Sequence, residues 1–226
     1  MKITIISGSH RQNSQSTKIA KVVERALEAF PKCDEYYLFD LANNPLPLWD
    51  DGIWNGDVKW KTLLNPISEQ LASSDAFVVI SPEWHGMVPA GLKNFFLMWG
   101  KGELAHKPAL IVTVSNGDGG SYPVAELRMS SYKNNRICFL PEHLIIRNVE
   151  SVFNDNEQEN SLSAEQYFKD RLNYCLKQLL TYGEAFKQIR NSDTISLGKN
   201  KKRNVVNIIF RYLLNLSPHS SPFVQN

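Results

Sequence analysis

The sequence contains few cysteines, and they form no pattern. Cys33, Cys138 and Cys175 are the only three in 226 residues, and they lie far apart in the chain. A disulfide framework and a CxxC metal or redox pair are therefore both unsupported. We interpret all three side chains as buried thiols.

An excess of one charge and a signal-like apolar stretch are also lacking. The formal net charge is +2, which is too small and too dispersed to form the basic face that nucleic acid requires. We therefore expect no nucleic-acid partner. Residues 1–7 lead directly into a strand without the apolar stretch of a signal peptide, so we expect a cytoplasmic protein.

The signatures of several enzyme classes are missing. The chain has no GxxxxGK phosphate loop, no GxGxxG after the first strand, and neither HExxH nor GxSxG. Its histidines show no metal-ligand spacing; they are His10, His85, His106, His143 and His219. We therefore expect no metal site and no protein nucleophile, so that any catalysis would rest on a bound cofactor.

What is present is a repeating alternation of strands and helices. Hydrophobic residues make up 42% of the chain and charged residues 21%, which is typical of a soluble domain with a packed core. Apolar, β-branched runs predict strands at residues 2–7, 35–41, 76–80, 109–114 and 144–146. Stripes at helical spacing predict helices at residues 19–30, 66–73, 89–99 and 122–135, and a closing helix that begins at Ser163.

This alternation predicts an α/β domain with a doubly wound parallel sheet, because right-handed crossovers place helices on both faces. Five strands favour the flavodoxin-like order. We place this domain at residues 1–190. Residues 191–226 differ in character, with a basic cluster at 199–203 followed by apolar residues at helical spacing, and we interpret them as an amphipathic appendage. Docking on a partner subunit, a frayed tail and contact with a membrane surface all remain open for it.

Ligands of such sheets bind beyond the carboxyl ends of the strands, where the strand order reverses. The loop after the first strand, residues 8–17 (the first loop), offers the hydroxyls of Ser9, Ser14 and Ser16, the guanidinium of Arg11, and the N–H groups of a helix N-terminus. Such donors suit a phosphate dianion. The alternative is a serine-rich capping turn.

Two further loops follow the third and fourth strands. In residues 82–89 (the second loop), Gly86 permits close backbone approach, and Trp84, His85 and Met87 provide flat or polarizable surface for an aromatic ring. Residues 115–123 (the third loop) contribute several small residues. Their N–H groups can face the same ring and stabilise negative charge on it. Taken singly, each of these loops is also compatible with an ordinary turn.

The motifs in these loops stand in a recognisable order. They are Gly8-Ser9-X-Arg11-X-X-Ser14-X-Ser16, Asp40-Leu41 followed by Leu46-Pro47-Leu48, Pro82-Glu83-Trp84-X-Gly86-X-Val88-Pro89 running into Leu92-Lys93-Asn94, and the glycine loop before Leu127-Arg128. Over residues 1–150 the chain thus resembles the NADPH-dependent FMN reductase family of flavodoxin-like flavin and quinone reductases. It departs from that family at Trp84 and His85, where tyrosine and asparagine are frequent, and at Asp118, whose carboxylate we expect to point away from the flavin.

The resemblance implies the site and the reaction. The FMN phosphate would be held by Ser9, Arg11, Ser14, Gln15 and Ser16, and the isoalloxazine ring would be lined by Pro82, Glu83, Trp84, His85, Gly86 and Met87, and on its other side by Ser115, Gly117, Gly119 and Gly120. NADPH or NADH would reduce FMN, and the acceptor would be a small molecule such as a quinone or flavin. We expect a homo-oligomer, because a second subunit often completes such a pocket. The alternatives are a flavodoxin-type electron carrier that docks on proteins, and a non-catalytic FMN-binding regulatory protein.

Overall fold

Five parallel strands form one sheet in this computed structural model, which describes residues 1–192 and Ile195. The strands are β1 (Lys2–Ser7), β2 (Glu35–Asp40), β3 (Ala76–Pro82), β4 (Pro108–Val114) and β5 (Cys138–Ile146). Their order in the sheet is β2-β1-β3-β4-β5, and every neighbouring pair is parallel. The predicted flavodoxin-like architecture is therefore confirmed.

Helices cover both faces of this sheet. In the described part of the chain they are α1 (Gln15–Leu27), α2 (Gly52–Asn55), α3 (Val58–Ser73), α4 (Ala90–Leu97), α5 (Ser121–Met129) and α6 (Leu162–Arg190). The buried stripes of α1 and α6 pack against one face, and those of α3, α4 and α5 pack against the other. None of these helices is long and apolar enough to cross a membrane.

The strands are apolar throughout because both of their faces are buried. In β1, Ile3 and Ile5 enter the core on the α1 side, whereas Ile6 enters the core on the α3 side. All seven residues of β3 and all seven of β4 are buried. This explains why these two strands read as continuous hydrophobic runs and not as an alternating pattern.

The structure corrects the predicted start of α3. This helix begins at Val58, well before Pro66, which was predicted to lie at its start and instead lies inside it. Asp57 caps the helix by accepting a hydrogen bond from the Lys59 N–H at 2.9 Å, and Trp60 and Leu64 bury their side chains in the first turns. Capping and burial therefore outweigh the backbone hydrogen bond that an internal proline removes.

The elements around β5 also differ from the prediction. Helix α5 ends at Met129, not near residue 135, and β5 begins at Cys138, not at residue 144. Strand β5 lies at the edge of the sheet, its pairing with β4 is irregular, and it contains Pro141. Edge strands tolerate proline and irregular pairing, and their broken apolar pattern hides them in the sequence.

Two local predictions are wrong. Helix α6 begins at Leu162, and the residue at its N-cap is Ser161, not Ser163. Of the three cysteines only Cys175 is buried, while Cys33 and Cys138 are partly exposed. Helix α6 ends at Arg190, and the domain boundary placed there stays a prediction. The amphipathic appendage predicted for residues 191–226 lies almost wholly outside the described residues.

Candidate functional site

The first, second and third loops meet at the carboxyl edge of the sheet, because β1, β3 and β4 are neighbours in it. A hydrogen bond of 2.8 Å from the Gly8 N–H to the carbonyl of Ile80 ties the first loop to β3. A β-carbon on Gly8 would lie 2.6 Å from that same carbonyl oxygen. Only glycine allows the two strand ends to approach so closely.

A cavity of about 260 Å³ lies between the three loops. Eight of the predicted site residues line it, and these are Arg11, Ser14, Gln15, Ser16, Pro82, Glu83, Trp84 and Ser115. Four lining residues were not predicted, and these are Asn13, Val114, Asn116 and Glu150. The remaining predicted residues lie outside this lining, and these are Ser9, His85, Gly86, Met87, Gly117, Gly119 and Gly120.

The first loop presents buried polar atoms without partners. Ser14 caps α1 by accepting a hydrogen bond from the Thr17 N–H at 3.1 Å, and the Ser9 hydroxyl accepts one from the Arg11 N–H at 3.3 Å. The Ser16 hydroxyl and the Gln15 side-chain oxygen are buried and have no hydrogen-bond partner in the described part of the chain. Buried polar groups normally find partners, so these two atoms indicate a polar ligand in the cavity.

The second loop is a tight hairpin. Trp84 and Met87 exchange backbone hydrogen bonds of 3.1 and 2.9 Å, and the two residues between them, His85 and Gly86, have φ values of 51° and 73°. Positive φ at both central positions is characteristic of a type I′ turn, in which glycine is strongly favoured. The turn projects the His85 and Met87 side chains from the rim of the site.

Helix α5 holds this hairpin in place through Glu126. Its carboxylate accepts a hydrogen bond of 2.6 Å from the Val88 N–H and forms an ion pair with Lys93. Partial burial by itself would raise the pKa of the Glu126 carboxyl, but the bonds from Lys93 and Val88 lower it. No local sequence pattern indicates this role, because Glu126 lies in a different strand–helix unit.

The third loop is bonded to the second through Glu83. The Glu83 carboxylate accepts a hydrogen bond of 2.6 Å from the Gly120 N–H, so it faces the neighbouring loop. A β-carbon on Gly119 would lie 2.8 Å from the same carboxylate, and Gly120 has a φ of 100°. The backbone path of the loop thus requires glycine at 120, while a side chain at 119 would displace the Glu83 carboxylate.

A second, more open cavity of about 570 Å³ adjoins the outer side of the hairpin. It is lined by His10, Arg11, Glu83, Trp84 and His85. The rings of His10 and Trp84 meet edge to face with their centroids 4.8 Å apart. Arg11 and Trp84 border both cavities, so a planar molecule in the open cavity would lie next to the contents of the enclosed one.

Lys18 fixes the chain that follows β5 against the first loop. Its ammonium donates hydrogen bonds to the carbonyls of Val149 and Val152, both at 2.8 Å, and to the Asn154 side-chain oxygen at 2.9 Å. Burial lowers the pKa of Lys18, and Glu150 and other nearby carboxylates oppose that shift. These bonds hold Glu150 in the wall of the enclosed cavity, where it accepts a hydrogen bond from Asn116 at 2.9 Å.

A larger cavity, of about 870 Å³, runs along the outer side of α1. It shares only Asn13 and Ser14 with the cavity between the loops. Its walls carry charges of both signs, including Lys21, Glu24 and Arg25. The orphaned polar atoms lie in the smaller cavity, so size does not identify the functional site here.

A family model for NADPH-dependent FMN reductases matches residues 1–150. The chain belongs to this family. As an FMN reductase family member, the protein is an FMN-dependent NAD(P)H oxidoreductase. The matched residues include all three loops of the site, and the resemblance inferred from their motifs is confirmed.

Three comparisons place this FMN reductase among known proteins. An NADPH azoreductase of Bacillus sp. is 22% identical over 84% of this chain and 97% of its own length. An FMN-dependent NADPH-azoreductase of Staphylococcus saprophyticus is 29% identical over 57% of this chain and 68% of its own length. The structure of the NAD(P)H:(acceptor) oxidoreductase FerB from Paracoccus denitrificans shares the fold, with 18% identity and a TM-score of 0.62 over 82% of this chain and 98% of that one.

The residues at the site fit FMN. The partnerless Ser16 hydroxyl lies at the N-terminus of α1, where a phosphate group is favoured, and it can donate to one. The partnerless Gln15 oxygen can accept only, so it would bond to a hydroxyl of the same ligand. A β-carbon on Gly117 would have no neighbour within 4 Å, so the third loop has room beside it for a flat ring. The donor set and the shape therefore agree with the cofactor of the family.

Proposed function

We propose that the cavity between the three loops binds FMN, with the phosphate at the first loop and the ring between the second and third. The observation that supports this most directly is the pair of buried, partnerless polar atoms on Gln15 and Ser16. They lie in the same cavity as Trp84 and Ser115. A ligand with a polar end and a flat end would satisfy both sets of groups.

The phosphate end relies on specific donors. In the proposal the phosphate accepts hydrogen bonds from the hydroxyls of Ser9, Ser14 and Ser16, from the side-chain NH2 group of Gln15 and from the Arg11 guanidinium. Hydrogen bonds to a charged group contribute about 1.5–3 kcal/mol each, more than the roughly 0.3–1 kcal/mol of the α1 dipole. Affinity should therefore depend on these side chains more than on the helix.

The ring end relies on shape and on backbone donors. Pro82, Glu83, Trp84, His85, Gly86 and Met87 would form one side of the ring site, and Ser115, Gly117, Gly119 and Gly120 the other. Bound FMN accepts electrons from a nicotinamide and passes them to a second substrate, while the protein supplies stacking and orientation. The chain therefore needs no nucleophile of its own.

We propose that the acceptor is a small planar aromatic molecule, such as a quinone, a flavin or an azo compound. Its place would be the open cavity beside Trp84, where the edge-to-face pair with His10 supplies an aromatic wall. Two curated relatives are named as azoreductases, which adds azo compounds to the acceptors to be tested. Arg11 also borders this cavity and could meet the 2′-phosphate of NADPH.

The wider setting of the enzyme is part of the same proposal. We infer a cytoplasmic homo-oligomer in which a second subunit narrows the open cavity. Residues 1–190 would form the FMN-binding domain, and residues 191–226 an appendage with a role in assembly. Deleting residues 191–226 should change the oligomeric state measured by light scattering and slow NADPH oxidation, because the open cavity loses its second subunit. FMN affinity should stay unchanged, because the three loops belong to one subunit.

The proposed cofactor site is tested by binding and by spectrum. The full-length protein should be purified, its visible spectrum recorded, and FMN and riboflavin titrated against the FMN-free form by fluorescence quenching. Because riboflavin lacks the phosphate, it should bind at least tenfold more weakly than FMN. A protein that binds neither compound, or both equally, would contradict the proposed site.

The proposed acceptor is tested by turnover. NADPH oxidation should be followed with menadione, with an azo dye such as methyl red, and with a redox protein such as cytochrome c. We expect turnover with the planar small molecules. Turnover with the redox protein alone would favour the electron-carrier alternative.

A further inference from the structure

Four carbonyl groups of the third loop, those of Ser115, Gly117, Asp118 and Gly119, bond to residues 147–149, which follow β5. The Ser115 carbonyl accepts a hydrogen bond from the Val149 N–H at 3.1 Å, and the Gly117 carbonyl accepts one from the Asn148 N–H at 3.2 Å. The carbonyls of Asp118 and Gly119 both accept from Arg147 Nε, at 2.7 and 3.1 Å. Arg147 also donates to the Ser121 hydroxyl at 3.4 Å. One side chain thus holds two consecutive peptide groups of a loop predicted to contact the cofactor.

This pattern fixes the direction of the N–H groups in the loop. In a trans peptide the C=O and the following N–H point to opposite sides, and the described residues contain no cis peptide. Carbonyls directed at residues 147–149 therefore direct the N–H groups of Asn116, Asp118, Gly119 and Gly120 away from that segment. The Gly120 N–H confirms the direction, because it donates to Glu83 in the second loop.

The other three of these N–H groups have no acceptor. Asn116, Asp118 and Gly119 donate no backbone hydrogen bond to any group in the described part of the chain. They form a short row of aligned donors on the side of the loop that faces the second loop. Such rows of backbone N–H groups stabilise negative charge, as in the anion-binding nests of other proteins.

The carboxylate of Asp118 is kept off this row. It accepts a hydrogen bond of 3.2 Å from the side chain of Asn148, on the side where the carbonyls lie. Asn148 has a φ of 47°, a left-handed conformation that asparagine tolerates better than most residues. The loop thus separates its negative groups from its free donors.

We propose that Arg147 is a positioning residue that makes the third loop a preorganised stabiliser of the reduced flavin ring. This proposal depends on the proposed FMN site. A neutral flavin ring that takes up two electrons and one proton gains one negative charge, and donors already aligned at that charge need no reorganisation. Arg147 does not line the cavity, so it acts through the loop and not by contact with the cofactor.

The test compares Arg147 with a matched arginine. Arg128 is also partly buried and donates to two backbone carbonyls, those of Leu140 and Pro141, but these belong to β5. The variants Arg147→Ala, Arg147→Lys and Arg128→Ala should be prepared as full-length protein. For each, the FMN reduction potential, the affinity for oxidised FMN and the thermal midpoint should be measured.

In Arg147→Ala we expect the ratio of the affinity for reduced FMN to the affinity for oxidised FMN to fall about tenfold. For a two-electron couple, a tenfold change lowers the potential by about 30 mV. Arg147→Lys should show most of the same loss, because lysine keeps the charge but lacks the Nε–H that binds both carbonyls. Arg128→Ala should change the thermal midpoint and leave the potential unchanged.

Three results would overturn the proposal. The first is an unchanged reduction potential in Arg147→Ala. The second is a wild-type potential in Arg147→Lys, which would assign the effect to charge alone. The third is an equal shift in Arg128→Ala, which would indicate a general loss of structure around β5. If Arg147→Ala does not fold, the reduction potential of FMN in Arg147→Lys alone tests the proposal, and a wild-type value there contradicts it. Failure of the wild-type protein to bind FMN would instead reject the proposed function, and the titration of the wild type detects this separately.

Discussion

At the amino edge of the sheet a network of buried charged groups is paired within the protein, whereas at the carboxyl edge two buried polar atoms, on Gln15 and Ser16, have no partner among the described residues. Ahead of β4, the Lys107 ammonium donates hydrogen bonds of 2.7 Å to the carbonyls of Leu71, Ala72 and Glu103. Nearby, Arg190 bonds to the Asp75 carboxylate at 3.0 Å and to the carbonyl of His106 at 3.2 Å. This network joins the end of α6 to the starts of β3 and β4.

The carboxyl edge contrasts with this arrangement. Three buried side-chain polar atoms have no partner among the described residues, and two of them, on Gln15 and Ser16, line the cavity between the loops. The third, the indole nitrogen of Trp99, does not belong to this edge, because Trp99 lies in the segment between α4 and the start of β4. Paired groups contribute to stability, while buried groups without partners lower it unless a ligand meets them. The comparison indicates that the amino edge stabilises the fold and that the carboxyl edge is arranged for a ligand.

The largest expected effect is on stability and comes from the amino edge. Replacing Lys107 by methionine leaves three buried carbonyls without their donor, so the free energy of unfolding should fall by about 3 kcal/mol. Urea unfolding would measure this, with Lys177→Met on the exposed side of α6 as the control. The FMN affinity of the folded variant should match that of the wild type, and a large loss of affinity would break the division between the two edges.

The next effect is on binding and comes from the carboxyl edge. Arg11→Ala should weaken FMN about tenfold to a hundredfold, since a charge-assisted hydrogen bond contributes roughly 1.5–3 kcal/mol. Its unfolding free energy should stay within about 0.5 kcal/mol of the wild type, because Arg11 is exposed. Fluorescence titration would measure the affinity, and Arg25→Ala, at an exposed position on α1, serves as control. Equal losses in both variants would argue against a specific phosphate contact.

The third prediction concerns how the free energy of unfolding depends on pH through Lys107 at the amino edge. Burial lowers the pKa of Lys107 to about 7, with Arg190 acting in the same direction. The unfolded chain then holds more protons than the folded one between about pH 7 and 10.5, so this lysine makes stability rise with pH across that window, by up to about 1.4 kcal/mol per unit. Unfolding free energies of wild type and Lys107→Met at pH 7 and 9 would measure it. A difference between the two proteins that does not change with pH would contradict this.

The smallest effect has opposite signs for stability and binding. Ser16→Ala removes a buried hydroxyl without a partner, so the FMN-free protein should become more stable by about 1 kcal/mol. The same change should weaken FMN binding by about tenfold, the lower end of what one hydrogen bond to the charged phosphate contributes. Thermal unfolding of the FMN-free form and a fluorescence titration would measure the two effects. Loss of stability in the FMN-free form would show that the hydroxyl has a structural role.

Some errors of the sequence-based reading have a common physical cause. Pro66 was expected to begin a helix and the last strand was expected to begin at residue 144, yet Pro66 lies inside α3 and β5 begins at Cys138, with Pro141 inside it. Proline rules describe local backbone cost, and burial of neighbouring side chains such as Trp60 and Leu140 offsets that cost. The position of the loops was predicted correctly, because parallel strands bring their carboxyl ends to one edge whatever the details of the helices.

The site was predictable in its outline and not in its pairings. Ser16 and Trp84 were expected in one cavity, and both line it. The bonds of Glu83 to Gly120 and of Glu126 to Val88 had no signal in the sequence. Each joins residues that are more than 30 positions apart, and local patterns carry no information about such contacts.

The sequence by itself determined the alternation of strands and helices, the parallel sheet and the three loops, because β-branched runs, helical stripes and glycines act through neighbours in the chain. Only the tertiary structure decided which groups in those loops remain free to meet a ligand. Arg147 binds the carbonyls of the third loop and Glu83 binds one of its N–H groups. These bonds depend on the register of β4 with β5 and on the packing of adjacent loops, which the chain establishes only when it is folded.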